Sequence, residues 1–169
     1  MKFAGLAAVC LSLSLTGFYF SYIHTKKMKI LSLLSHFFSD FSAFIKMYSL
    51  DTAGSIARMR ESGRFSSLGF LSEIADNFTY GCNMKRLWEN AVRSSGVLFY
   101  LDKNTSGYIL NFSDVFSKNS RDELFLKCEE YAEVFRIHTE REEKKWEKNR
   151  SFVPVSGVIA AALILLIFI

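Results

Sequence analysis

The sequence predicts an all-α protein in which a single soluble bundle of about six helices lies between an N-terminal and a C-terminal transmembrane helix. Three observations indicate this fold class. Both ends of the chain are apolar and almost uncharged, apolar residues in the middle recur at spacings of three and four, and the length of 169 residues allows one compact domain. Because a spacing of three and four is that of a helix, we expect helices rather than strands.

The first element is an apolar run over residues 3–23, which carries no charged side chain. At a rise of about 1.5 Å per residue, a helix of this length crosses the roughly 30 Å hydrocarbon core of a bilayer. A cleaved signal peptide is the alternative, but the run continues beyond Gly17 into an aromatic cluster typical of the membrane interface, and no small-residue cleavage pattern follows. We therefore predict an uncleaved transmembrane anchor over residues 1–23.

The last element is an apolar run over residues 152–169. Pro154 and Gly157 lie in its first turns, where a missing backbone N–H costs least. A buried core helix is the alternative, but such a helix usually keeps a polar stripe, and the only polar side chain here is Ser156. The pattern predicts a C-terminal transmembrane helix.

Basic residues flank both runs on the side of the middle segment, and few charges lie at the chain ends. Since short basic flanks stay in the cytoplasm, both runs place residues 24–151 there. We expect this segment to be the soluble helical bundle, ending in a polar stalk helix that leads into the second span. The basic flanking residues are Lys26, Lys27, Lys29, Lys144, Lys145, Lys148 and Arg150.

Apolar spacing and capping residues predict four helices in the first half of the bundle. Asn83 is expected to cap the fourth helix, and Gly63 and Gly96 are expected to follow the ends of the second and fourth. The second helix is expected to begin at Asp51 or Thr52. The predicted helices cover residues 26–48, 51–62, 67–78 and 83–95.

The second half begins with residues 97–101, whose composition also suits a strand, but without partner strands nearby we predict a helix. Residues 102–107 collect turn-forming side chains, so we predict a loop there and a short helix over residues 108–116. Ser120 and Glu123 form a capping box that opens the longest helix. The inward seam of that helix is Leu124, Cys128, Tyr131, Phe135 and His138.

The sequence displays no arrangement of residues for catalysis, metal binding or cofactor binding. Its three histidines lie far apart, none has a second ligand at metal spacing, and the glycines are not gathered in a phosphate-binding loop. Cys82 and Cys128 are expected to be reduced thiols, because cytoplasmic domains rarely keep disulfides. We therefore predict a protein that is not an enzyme and that takes no metal, cofactor, nucleic acid or small-molecule substrate.

Two charged patches are candidate partner-binding surfaces. Glu129, Glu130 and Glu133 cluster on the longest helix and suit a basic partner, although a solvated helix face with intrahelical ion pairs is the alternative. Three arginines on and after the second helix have no interleaved aromatic residues, which favours anionic headgroups or an acidic protein surface over nucleic acid. These are Arg58, Arg60 and Arg64.

Four Asn-x-Ser/Thr patterns keep a different function open. They suit a surface glycoprotein ectodomain with a signal peptide and a C-terminal anchor, acting in ligand or receptor binding. Under this alternative we expect attached sugar and a disulfide between Cys82 and Cys128. The basic block after the first span opposes it, because such a block resists translocation. The acceptors are Asn77, Asn104, Asn111 and Asn149.

The order of elements resembles the stage III sporulation protein AB family of endospore-forming bacteria. The resemblance is closest near the C-terminus, where SKNSRDEL precedes a long helix, EREEKKWEKNRSF forms a charged stalk and VSGVIAAALILLIFI is an apolar tail. The basic exit from the first span, the long first helix ending near Tyr48, and Trp88 in the middle helices also follow the family plan.

The resemblance implies a non-enzymatic membrane platform, similar in fold to the cytoplasmic helical domains of type II secretion and type IV pilus platform proteins. Such a protein lies in the outer forespore membrane, faces the mother cell and belongs to a channel complex. The partners implied are the ATPase called stage III sporulation protein AA, other members of the same complex, and membrane lipid.

Overall fold

A computed structural model describes residues 2–47, 52–79, 81–118 and 121–149. Within these ranges all regular structure is helical, which confirms the all-α fold class. The run at residues 97–101 contains a 3₁₀ helix, Val97–Tyr100, and two others lie at Ser66–Leu68 and Phe112–Asp114. The α-helices are α1 (Lys2–Met47), α2 (Thr52–Glu61), α3 (Phe70–Asn77), α4 (Met84–Ser94), α5 (Lys103–Asn111), α6 (Val115–Lys118) and α7 (Arg121–Asn149).

The chain divides into two compact units. The central unit comprises residues 29–139, and the terminal unit comprises the described parts of residues 1–28 and 140–169. Both α1 and α7 contribute to both units, because the unit boundaries fall within these two helices. The division predicted at residues 23 and 151 stays a prediction.

The core of the central unit is built around Trp88, whose side chain is fully buried. The centroid of its ring lies 5.1 Å from that of Phe112, 5.2 Å from Phe70 and 6.0 Å from Phe37. The indole Nε1–H donates a 2.8 Å hydrogen bond to the carbonyl oxygen of Ile109, so the single polar atom of this side chain is satisfied. Helices α1, α3, α4 and α5 therefore meet at one residue.

Phe38 of α1 joins α7 to the same core. Its ring stacks on Phe135 with centroids 5.4 Å apart and lies 4.7 Å from Phe112. Beside these rings, the Ser35 hydroxyl donates a 2.9 Å hydrogen bond to the carbonyl oxygen of Ala132 in α7. The predicted inward seam of α7 is confirmed by burial, which is complete or partial for Leu124, Cys128, Tyr131, Phe135 and His138.

The predicted ends of α2 and α4 are confirmed. The Asn83 side chain accepts a 3.1 Å hydrogen bond from the backbone N–H of Arg86, which is the expected N-cap of α4. Gly63 and Gly96 follow the two helices with φ of 65° and 72°, in the left-handed region where glycine has no steric penalty. Two further predicted caps, Asp51 and Ser120, lie outside the described residues.

The prediction of a loop over residues 102–107 is wrong. Helix α5 begins at Lys103, because the Asp102 carboxylate accepts hydrogen bonds from the backbone N–H groups of Asn104 and Thr105 at 3.1 and 3.0 Å. The residue types that form turns are also preferred at helix N-caps, so composition alone could not tell a loop from the start of a helix here. The third helix is shorter than predicted, because Gly69, at φ 61°, precedes its first turn.

An ion-pair cluster links α1 and α7 within the terminal unit. Glu142 accepts hydrogen bonds from Lys27 and Lys145, each at 2.7 Å, and only 16% of the Glu142 side chain is exposed. Burial opposes ionisation of this carboxyl, but the hydrogen bonds and the positive charges of Lys27 and Lys145 together outweigh burial and hold its pKa below the usual value. One turn away on each helix, the His24 and Trp146 rings stack with centroids 4.0 Å apart.

The structure describes nearly all of the first predicted membrane span and none of the second. Residues 2–23 are helical, as predicted, and Phe18, Tyr19, Phe20 and Tyr22 are exposed along this part of α1. Across the residues that the structure describes, we find no helix with both the length and the apolar character needed to cross a membrane. The predicted C-terminal span, residues 152–169, lies outside those residues.

Replacing Phe38 by alanine is expected to lower the free energy of unfolding of the detergent-solubilised chain by about 3–5 kcal/mol, because it opens a cavity where α1, α4 and α7 meet. The measurement is chemical unfolding followed by tryptophan fluorescence. Phe99→Ala is the matched control, since this phenylalanine is 70% exposed and its loss should change the free energy by less than about 0.5 kcal/mol. Equal effects of the two substitutions would contradict the assigned core.

Candidate partner-binding surface

Three glutamates of α7, namely Glu129, Glu130 and Glu133, form a surface that we call the acidic face. All three are exposed, whereas Cys128 and Phe135 of the same helix are fully buried. Successive residues are separated by about 100° around an α-helix, so these positions separate into an inner and an outer side. The structure thus places the three predicted acidic residues together on the outer side.

Two of these carboxylates have basic neighbours one turn away on α7. Lys127 lies 2.6 Å from Glu130, and Arg136 lies 2.6 Å from Glu133. The hydrogen bond from Arg136 lowers the pKa of Glu133 below its usual value, so this carboxyl is ionised at neutral pH. Exposed pairs of this kind are weak and screened by salt. The acidic face therefore has the intrahelical ion pairs of the alternative prediction. Its carboxylates are nevertheless exposed, so a partner can still reach them.

The acidic face is bordered by two exposed aliphatic side chains that the sequence reading did not single out. Leu126 is 60% exposed and Ile137 is 41% exposed. With Glu130 and Glu133 they follow a spacing of four, three and four, which puts all four side chains on one stripe of the helix. The spacing was visible in the sequence, but whether Leu126 and Ile137 stay exposed or are covered by a neighbouring helix depends on how α7 packs, and the structure shows them exposed.

The three predicted arginines are each placed beside a carboxylate. Arg60 lies 2.7 Å from Asp76 of α3, and Arg64 lies 3.0 Å from Asp40 of α1. The third, Arg58, lies 3.9 Å from Glu61 of its own helix. The first two pairs connect α2 and its following turn to neighbouring helices, while all three guanidinium groups remain about half exposed or more. Their part in partner binding stays a prediction.

A polar cluster between α5 and α7 is the arrangement that comes nearest to a catalytic triad. The Thr105 hydroxyl donates a 2.8 Å hydrogen bond to Asp102 and lies 3.2 Å from Nδ1 of His138. In a nucleophilic triad the imidazole stands between the carboxylate and the hydroxyl. Here the hydroxyl stands in the middle, and Thr105 is fully buried, so the cluster orders α5 against α7.

The cysteines give no sign of the disulfide that the ectodomain alternative predicts. Cys82 and Cys128 are both free thiols, which contradicts that prediction and agrees with reduced thiols. Burial raises the pKa of Cys128 far above its usual value, with a smaller contribution from the charge of Glu129, so its thiol is protonated at neutral pH. Among the described residues, no group of three or more His, Cys, Asp or Glu side chains is arranged to hold a metal ion.

The comparisons with known proteins point to one family. A family model described as stage III sporulation protein AB matches residues 2–169, which is nearly the whole chain. No curated protein and no solved structure matches the chain.

In a Cys10→Ser background, a thiol reagent is expected to modify Cys82 in the native protein and to reach Cys128 only after denaturation. The reasons are the full burial of Cys128 and the raised pKa of its thiol. The measurement is the number of thiols labelled with and without denaturant. Adding Cys82→Ser should abolish native labelling, and rapid labelling of that variant would contradict the packing of α7.

Proposed function

The chain belongs to the stage III sporulation protein AB family, and we propose that it is a non-enzymatic membrane platform in a channel complex between the mother cell and the forespore. Membership implies a role in sporulation, and the family is that of a structural component rather than of an enzyme. The finer proposal is that the central unit docks a cytoplasmic secretion-type ATPase, stage III sporulation protein AA, alongside other members of the complex.

The acidic face of α7 is the observation that carries this proposal. Its carboxylates are exposed, and the aliphatic side chains of Leu126 and Ile137 lie on the same side of the helix. Interfaces combine apolar contacts, which supply affinity, with charges that direct encounter and register. A partner with basic and aliphatic side chains along one helix would satisfy both groups, and we propose that the ATPase presents such a surface.

The proposed topology has a membrane anchor at each end. Residues 1–23 and 152–169 are the anchors, and residues 24–151 face the cytoplasm on the mother-cell side of the outer forespore membrane. The exposed aromatic side chains along residues 18–22 support the first anchor, since aromatic side chains are favoured at the level of the lipid headgroups. Membrane lipid is accordingly a proposed partner.

The arginines at positions 58, 60 and 64 are a second, lesser candidate surface. Their guanidinium groups keep about half of their exposure or more despite the neighbouring carboxylates. Anionic headgroups or an acidic member of the complex are the partners that suit this charge.

Reversing the charge of Glu129, Glu130 and Glu133 to lysine is expected to weaken binding of the ATPase at least about tenfold, because three attractive contacts become repulsive. The measurement is a pull-down of the ATPase by the full-length chain in detergent, titrated to give an apparent Kd. Circular dichroism of the variant should match the wild type, since all three side chains are exposed.

Glu143 and Glu147 provide the matched control, because both are exposed on α7 but lie outside the acidic face. Changing both to lysine should leave ATPase binding within about twofold of wild type. Unchanged affinity of the triple variant, or an equal loss in the control, would overturn docking at the acidic face.

The sidedness of the central unit is tested with a single reactive cysteine at Asn104, an exposed position in the first turn of α5. We expect a membrane-impermeant maleimide to leave Asn104→Cys unlabelled in intact cells and to label it after lysis. The background carries Cys10→Ser and Cys82→Ser, which leaves the buried Cys128 as the only native thiol. Labelling in intact cells would reject the cytoplasmic topology and favour the surface ectodomain.

A further inference from the structure

Many charged side chains of the central unit form ion pairs with one another. The exposed charged groups outside these pairs include two arginines on α4 and two carboxylates on α7. On α4, Arg86 and Arg93 are exposed and have no carboxylate partner among the described residues. On α7, Asp122 and Glu129 are exposed and have no cationic partner there. The pairs that do form between helices or across turns include Asp40–Arg64, Arg60–Asp76 and Lys85–Asp114.

The two arginines form a ridge along the outer side of α4. Trp88, Ala91 and Val92 are the buried residues of this helix, so positions 86 and 93 lie on the opposite side. Seven residues separate the arginines, which corresponds to about 10 Å along the helix at 1.5 Å per residue. The guanidinium groups are therefore held two turns apart on one exposed line.

The two carboxylates of α7 repeat this spacing. Asp122 and Glu129 are also seven residues apart on the outer side, and so are also separated by about 10 Å. Leu126 lies between them and is 60% exposed. An arginine ridge laid along this line would bring two opposite charges into register while the aliphatic stems of the arginines cover the leucine.

We propose that the α4 ridge of one copy of this chain binds the Asp122–Glu129 line of a second copy. The charges are opposite, their number is equal and their spacing is the same, so the chain carries both halves of one interface. The contact joins two different surfaces, which makes it heterologous, and repeated use of it builds a ring or a linear array. This self-association goes beyond the docking of an ATPase.

The proposal has a consequence for the acidic face, because Glu129 belongs to both surfaces. A basic partner bound across Glu129, Glu130 and Glu133 competes with the arginine ridge of a neighbouring copy. Self-association and ATPase docking are therefore coupled through one carboxylate, whereas the arginine ridge takes part in self-association alone.

The test uses two full-length copies with different affinity tags, co-expressed and extracted in mild detergent, and measures how much of one copy purifies with the other. The first variant carries Arg86→Glu and Arg93→Glu, and the second carries Asp122→Arg and Glu129→Arg. Each variant should lose co-purification with itself at least about tenfold, since its two surfaces then carry like charge. A mixture of the two variants should recover it, because opposite charges face each other again.

The matched control is Lys103→Glu with Arg141→Glu, which makes the same change in net charge at exposed positions off the ridge and should leave co-purification unchanged. Recovery in the mixed pair also shows that both variants are folded. The proposal is overturned if wild-type copies do not co-purify, if either variant still associates with itself, or if the mixture fails to recover. The docking proposal is tested separately. The Arg86→Glu, Arg93→Glu variant keeps the acidic face intact, so it should bind the ATPase as the wild type does even when self-association is lost.

Discussion

The complete burial of Trp88 is the constraint on which the central unit depends. An indole ring without solvent contact must be enclosed by apolar atoms and must give its N–H to an acceptor, and the carbonyl oxygen of Ile109 is that acceptor. This single bond fixes α5 against α4. Rings from α1 and α3 complete the enclosure, with Phe37 and Phe70 each within 6.0 Å of the indole. Movement of any of these helices would leave a cavity or an unsatisfied donor.

The position of α7 follows from the same core and decides which residues can bind a partner. Phe38 stacks on Phe135, and burial of Phe135 and Cys128 turns one side of α7 inward. The opposite side is left with carboxylates and with Leu126, which is 60% exposed. The proposed docking surface is thus a result of core packing, because the buried aromatic ring determines which glutamates face solvent.

Local signals predicted α4 well and α5 poorly, and the difference is physical. In α4 the cap Asn83 and the glycine at position 96 enclose a run with a clear apolar stripe, so that capping and periodicity agree. In α5 the cap Asp102 is followed by polar residues and by Gly107, a composition that helices and turns share. The structure adds a tertiary contact there, since the hydroxyl of the buried Thr105 lies 3.2 Å from Nδ1 of His138 on α7. No local pattern carries that information.

The sequence by itself determined the all-α fold class, the stripe of α7 that packs inward and the presence of an acidic cluster, because each depends on residue type and spacing along one helix. Only the tertiary structure decided which charges have partners. It paired Arg60 with Asp76 across two helices and left Arg86 and Arg93 exposed without a carboxylate among the described residues. The reason is that an ion pair between helices depends on how those helices pack, and their packing is decided by the aromatic core around Trp88.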